Sequence, residues 1–254
     1  MSKTFNVIAA ATMLASTSFS LVPAHAADTA VHNVVLVHGA FADGSGWKAV
    51  ADILKKDGFK VSIVQEPETS LQDDAQATQR VLDQQDGSVV LVGHSYGGQV
   101  ITEAGADPKV KSLVYVAAFV PEIGDSLLSL AKSMPLPSED IKATKDGFLY
   151  LDPSKFAADF SADLPKSTSE LMAMSQVFAS EKAFGAPVIK APWHDKPTFA
   201  IVATQDKAIN PDLERWMYKR AGAETIELKS SHAVYMSKPK EVAAVIEKAA
   251  KAGK

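Results

Sequence analysis

Short β-branched runs alternate along the chain with stretches of helical spacing. Residues 33–38 (NVVLVH), 88–93 (SVVLVG), 110–119 (VKSLVYVAAF) and 196–204 (KPTFAIVAT) are nearly continuous in apolar residues. Such runs suit strands buried on both faces. Residues 60–65 (KVSIVQ) and 224–229 (ETIELK) read as two further strands. Between them, 46–57 places Trp47, Val50, Ile53 and Leu54 on one helical face, with Gly58 as a stop. Helices are also predicted over 73–85, 96–106, 211–221 and 239–250. This alternation predicts an α/β fold: a mostly parallel sheet with helices on both faces. Functional groups of such sheets gather at the carboxyl ends of the strands.

Two stretches depart from the rhythm. Residues 121–195 carry no strong strand signal and hold seven prolines, at positions 121, 135, 137, 153, 165, 187 and 192. A structureless loop of that length is uncommon. The stretch is therefore expected to form a small, mainly helical insertion on the carboxyl side of the sheet. The other departure is the start. Lys3 is followed by an uncharged apolar or small stretch over 5–22, then by Ala24-His25-Ala26. A basic start, an apolar middle and small residues before the break describe a secretory signal peptide over 1–26. The expectation is a mature domain over 27–254, exported to the periplasm or secreted, with no membrane span after processing.

Charge and cysteine content narrow the chemistry. The formal net charge of −4 implies no basic face, so nucleic acid is not an expected partner. The chain has no cysteine. Disulfides, thiolate metal sites and a thiol nucleophile are thereby excluded. No His-x-x-x-His motif falls on a helix, and neither metal nor cofactor is expected. The oligomeric state is not readable from the pattern.

The strongest motif is Gly93-His94-Ser95-Tyr96-Gly97, followed by Gly98. It closes a buried strand and opens a helix, the setting of a nucleophile elbow, in which a sharp turn lifts the serine hydroxyl out of the sheet. Ser95 is the candidate nucleophile, and His94 a structural flank. The loop His38-Gly39-Ala40-Phe41 follows the first strand. Acyl transfer to a serine needs N–H groups aimed at the developing oxyanion. The Tyr96 and Ala40 amides are the candidates, with Phe41 the near alternative to Ala40. His38 reads as a structural turn residue.

A serine hydroxyl needs a general base. Among the histidines at 25, 32, 38, 94, 194 and 232, only His232 lies in a loop after the last strand, at a carboxyl end; His194 is its competitor. Asp206 ends the fifth long strand and is the candidate for orienting the base. Glu122 and Asp125 are alternatives, while Asp212 suits the start of a helix. The order is then Ser95, Asp206, His232. Phe41, Tyr96, Phe119, Trp193 and Tyr235 are candidate pocket walls, together with Met172, Met174 and Phe178 of the insertion.

With these residues in view, the chain resembles the α/β-hydrolase superfamily. Within it, residues 35–41 with Trp47, 93–98, Asp206 and 231–233 are similar to small bacterial serine esterases and to the plant methyl esterase/hydroxynitrile lyase group. The resemblance covers most of 27–254 and weakens in the insertion. It implies a lidded pocket and a cofactor-free serine mechanism. The lyase branch has a Lys after the catalytic His and a Thr beside the oxyanion donor; here those places hold Ala233 and Gly39. The expected function is hydrolysis of a small-molecule carboxylic ester through an acyl-enzyme. The alternatives are lactone or amide hydrolysis or acyl transfer by the same triad, and, less favoured, a hydroxynitrile lyase or a non-catalytic binding protein.

Overall fold

The computed structural model describes Met1 and residues 31–253; the expected signal segment therefore falls almost wholly outside the described residues. Six strands form the main sheet: β1 (Asn33–Val37), β2 (Lys60–Val64), β3 (Val89–Ser95), β4 (Val110–Ala118), β8 (Thr198–Ala203) and β9 (Glu224–Leu228). Their spatial order is β2-β1-β3-β4-β8-β9, and every neighbouring pair is parallel. The apolar runs read from the sequence are the central strands, and β9, at the sheet edge, is mostly exposed.

Strand alternation divides the core into two layers. Val35, Val37, Val89 and Leu91 face one side, while Val34, Leu36, Val90 and Val92 face the other. The second layer is covered by α1 (Lys48–Lys56), the short α9 (Val234–Ser237) and α10 (Pro239–Ala252), through Val50, Leu54, Val242 and Ile246. The first is covered by α2 (Leu71–Asp83), α3 (Gly97–Ala104) and α8 (Pro211–Arg220), through Leu71, Leu82, Val100, Ile101, Leu213 and Met217.

The insertion between β4 and β8 packs against the same layer. It carries α4 (Leu127–Ser133), α5 (Phe156–Asp159), α6 (Lys166–Ser175) and α7 (Glu181–Gly185). To these helices it adds a three-stranded antiparallel sheet of β5 (Ile141–Ala143), β6 (Phe148–Leu151) and β7 (Ala179–Ser180). Those strands are too short to leave a periodic signature in the sequence. Leu127, Leu151, Phe156, Phe160 and Phe184 bury their side chains beneath it. Among the described residues, no helix is long and apolar enough to cross a membrane.

Candidate active site

β3 runs directly into α3 through a turn of one residue. Ser95, the last residue of the strand, has φ 54°, a left-handed conformation rare for a residue with a Cβ. Such a conformation costs on the order of 1–3 kcal/mol and persists only where the surroundings enforce it. The enforcement here is close packing. A Cβ on Gly93 would lie 2.5 Å from the Gly97 carbonyl oxygen, so strand and helix meet only because position 93 is glycine. The partner strand bends with the turn. His94 pairs with Val116 but Ser95 with Ala118, leaving Ala117 as an extra residue at φ 44°. The Tyr218 hydroxyl fills the gap: it accepts the Ala118 N–H at 2.8 Å and donates to the Ala118 carbonyl at 3.0 Å.

His232 reaches the elbow from the loop between β9 and α9. Its Nδ1 donates to Asp206 Oδ2 at 2.6 Å, and both side chains are buried. That bond leaves Nε2 as the free, basic nitrogen; it is buried and accepts no hydrogen bond among the described residues. Asp206 sits in the turn after β8. Its Oδ1 accepts the Ala208 and Ile209 N–H groups at 2.7 and 2.9 Å, so the loop's own backbone fixes the carboxylate. His94 joins the turn at Ser95 to the His232 loop. Its Nε2 donates to the His232 carbonyl at 3.0 Å, and the two rings lie 4.6 Å apart. Burial, then the neighbouring His232, holds His94 well below the ordinary histidine range. His94 is therefore a neutral donor that pins the His232 backbone.

The loop after β1 packs on the serine. A Cβ on Gly39 would lie 2.5 Å from Ser95 Cβ, so no larger residue fits between loop and elbow. Ala40 and Tyr96 are buried, and among the described residues neither backbone N–H donates to another backbone group. Phe41 turns the loop at φ 63°. His38 braces it from behind. Its Nε2 accepts the Glu66 N–H and its Nδ1 donates to the Gly39 carbonyl, both at 3.0 Å.

His38, Glu66 and Glu68 have ligand atoms within 4.8 Å of one another, the spacing of a metal site. The ring, however, has no lone pair to spare: Nε2 is taken by an N–H, and Nδ1 carries the proton. Burial is the main force pushing both glutamates well above the ordinary carboxylate range. The group is then a neutral cluster under the loop, unlike the anionic donor set a hard cation needs.

The other candidates separate. Phe41 and Phe160 line a cavity of about 20 Å³ with Leu151 and Ala208, and Phe41 meets the edge of Phe184. Phe119 is buried just beyond β4. Tyr235 lies behind the elbow, packed on Trp47 at 4.7 Å and His94 at 4.4 Å. Trp193 donates to the Pro121 carbonyl and stacks on His194. His194 and Glu122 pair with each other at 3.0 Å on the surface. Asp125 pairs with Arg220, and Asp212 lies in the first turn of α8.

Residues 34–245 match the model of the alpha/beta hydrolase family. The chain belongs to that family. A carbendazim hydrolyzing esterase of Nocardioides sp. (strain SG-4G) is 39% identical over 119 residues, which are 41% of this chain and 49% of that protein. The chain thus matches about half the length of that relative. Salicylic acid-binding protein 2 of Nicotiana tabacum is 27% identical over 246 residues, 83% of this chain and 94% of the other. Among solved structures, a pyrethroid hydrolase from Sphingobium faniae JZ-2 superposes with a TM-score of 0.75 at 22% identity, covering 87% of this chain and 98% of its own. Polyneuridine aldehyde esterase superposes with a TM-score of 0.75 at 20% identity, covering 86% and 98%. These structural likenesses place the chain on the alpha/beta hydrolase fold.

Three residues of this alpha/beta hydrolase escaped the sequence reading. Phe160, from the insertion, sets its ring edge-on to His232 at 4.7 Å, and its carbonyl accepts the Ala233 N–H at 2.9 Å. Asp163, also in the insertion, accepts hydrogen bonds from the Ser230 and Ser231 hydroxyls and the Ser231 N–H. Partial burial raises its pKa, but the Ser231, Ser230 and Ser237 hydroxyls outweigh that and hold it below the usual range. Glu214, on α8, is fully buried against Asp206. None follows a motif, and each meets the site only through the tertiary fold.

Proposed function

We propose that the chain is a serine hydrolase of small carboxylic esters. Ser95 attacks the acyl carbon. His232 Nε2 takes the hydroxyl proton while Asp206 holds the ring in the Nδ1–H tautomer and stabilises the imidazolium. The Ala40 and Tyr96 amides receive the oxyanion. The imidazolium returns its proton to the leaving alcohol, and His232 then activates water to release the acid. The observation that carries this reading is the pairing of a serine held at positive φ on a strand-to-helix turn with a buried His232–Asp206 hydrogen bond in the adjacent loop.

Phe41 and Phe160, which line a small cavity with Leu151 and Ala208, favour an apolar, uncharged acyl or alcohol group. The name of one relative, a carbendazim hydrolyzing esterase, supports a choice of esters for the first substrate panel. With a short-chain aryl ester, Ser95→Ala is expected to lower kcat by a factor on the order of 10⁴ or more. An unchanged rate rejects the proposal. A serine-directed phosphonate should add one equivalent of mass to wild type and none to Ser95→Ala. We infer also that residues 1–26 are removed on export; an intact N-terminus on protein recovered outside the cytoplasm counts against this.

A further inference from the structure

We propose that Glu214 is a positioning residue for the catalytic acid: it stays protonated during turnover and donates a hydrogen bond to the Asp206 carboxylate. The proposal rests on the reading above, in which Asp206 orients His232. Glu214 projects from the first turn of α8, and its side chain is fully buried. One oxygen, Oε2, accepts the Ala203 N–H at 3.1 Å. The other, Oε1, is buried with no N–H or hydroxyl donor among the described residues. Ala203, whose N–H Glu214 holds, accepts the Asp206 N–H on its own carbonyl at 3.1 Å, so the orphaned Oε1 lies beside the Asp206 carboxyl group.

Two carboxyl groups in contact, with no cation between them, cannot both be ionised; they share a proton. The groups facing the pair identify its owner. Asp206 accepts three N–H bonds, from Ala208, Ile209 and His232, and each favours its anionic form. Glu214 accepts one, from Ala203. Tyr218, on the same helix, is buried and held neutral. Arg215 gives its guanidinium to Glu227 and Asp212 on the surface. The proton therefore resides on Glu214. Burial first, and then the negative charge and hydrogen bond of Asp206, push the Glu214 carboxyl well above the usual range.

The donated O–H is the fourth hydrogen bond to Asp206, matching the roughly four lone-pair sites of a carboxylate. It fixes the plane of the acid and spreads its charge. Asp206 thereby stays anionic beside the imidazolium without competing for the Nδ1 proton. Glu214 itself neither gains nor loses a proton in the cycle.

The test compares two substitutions with wild type, using pH profiles of kcat/KM on an aryl ester. Glu214→Gln keeps an N–H donor for Asp206, an acceptor for Ala203 and a neutral charge. It should retain activity within about threefold, with an unshifted acid limb. Glu214→Leu removes the donor from a charged acceptor, an interaction whose loss should cost about tenfold in kcat/KM. Its acid limb should move to higher pH, because a less solvated Asp206 carboxylate favours the imidazolium more strongly. Infrared difference spectra at neutral pH should show a protonated carboxyl band that is lost in Glu214→Gln.

An acid limb moved to lower pH in Glu214→Gln means that a negative charge was removed, and overturns the proposal. So does Glu214→Leu with wild-type rate and profile, or a Glu214→Gln spectrum that loses an ionised carboxylate band instead. Failure of wild type to take up phosphonate at Ser95 overturns the hydrolase reading separately. The infrared spectra decide the position of the proton in either case.

Discussion

A single missing methyl group decides how near the loop after β1 can come to the serine. Gly39 leaves space for Ser95 Cβ, which a Cβ at position 39 would meet at 2.5 Å, with the His94 ring at 2.9 Å. Gly39→Ala must push the loop away by several tenths of an ångström, and the Ala40 amide moves with it. Removing one oxyanion donor costs on the order of 10²–10³ in kcat in a comparable site. Gly39→Ala is therefore expected to lower kcat by about a hundredfold with little change in KM. A variant with wild-type kcat would place the donor elsewhere, with Phe41 next in line. At this scale, the candidates Ser95, Asp206 and His232 stand out in the sequence because each closes a strand or occupies the loop after one. Glu214 does not. It reads as an ordinary acid in the first turn of a helix, and only the packing of α8 on β8 brings it to Asp206.

Elements from distant parts of the chain meet at His232. The loop after β9 is tied to the insertion by Asp163, which holds Ser230 and Ser231, and by the Phe160 carbonyl, which accepts the Ala233 N–H. His94 ties the same loop to the elbow. Asp163→Ala removes the hydroxyl anchors but leaves the triad intact. Its expected effects are a several-fold loss of kcat/KM and faster hydrogen exchange at the Ser231 amide. Protection at that amide equal to wild type would show that the tie is not a constraint. Because the Asp163 pKa is depressed, its stabilising contribution is present above the ordinary aspartate value and is lost as pH falls through the lower folded value. The long strands and most of their helices were readable from apolar runs and helical spacing. The strands of the insertion were not, since β5, β6 and β7 span three, four and two residues. At that length neither alternation nor propensity outweighs tertiary context.

At the scale of the molecule, an electrostatic feature among the described residues is the cluster of buried acids beneath the loop after β1. Asp74 accepts the Tyr96 hydroxyl at 2.6 Å and the Glu68 N–H at 2.8 Å, and burial is the main cause that raises its pKa to about 6. Glu66 and Glu68, buried beside it and facing His38, are raised well above the ordinary glutamate value by burial and then by Asp74. Groups with raised carboxyl pKa values bind protons in the folded chain that the unfolded chain releases. Their effect on stability is harmless below the ordinary carboxylate range and becomes a growing penalty as pH rises through the folded values. For Asp74 that window runs from its ordinary 3.8 to about 6, and for the glutamates it opens above their ordinary 4.5. Each unit by which a pKa is raised is worth about 1.4 kcal/mol once the pH exceeds it. In a chain of this size, 1 kcal/mol moves Tm by about 2–4 °C. The double variant Glu66→Gln, Glu68→Gln keeps the shape of the cluster but has nothing to ionise. Its thermal melt should lie above wild type near pH 8, and the gap should close as the pH falls below the ordinary glutamate value of 4.5, where the wild-type glutamates hold their protons in both states. A double variant that melts below wild type near pH 8 would mean that the two carboxylates are ionised and paired with a cation. The group with His38 would then have to be read as an ion site after all.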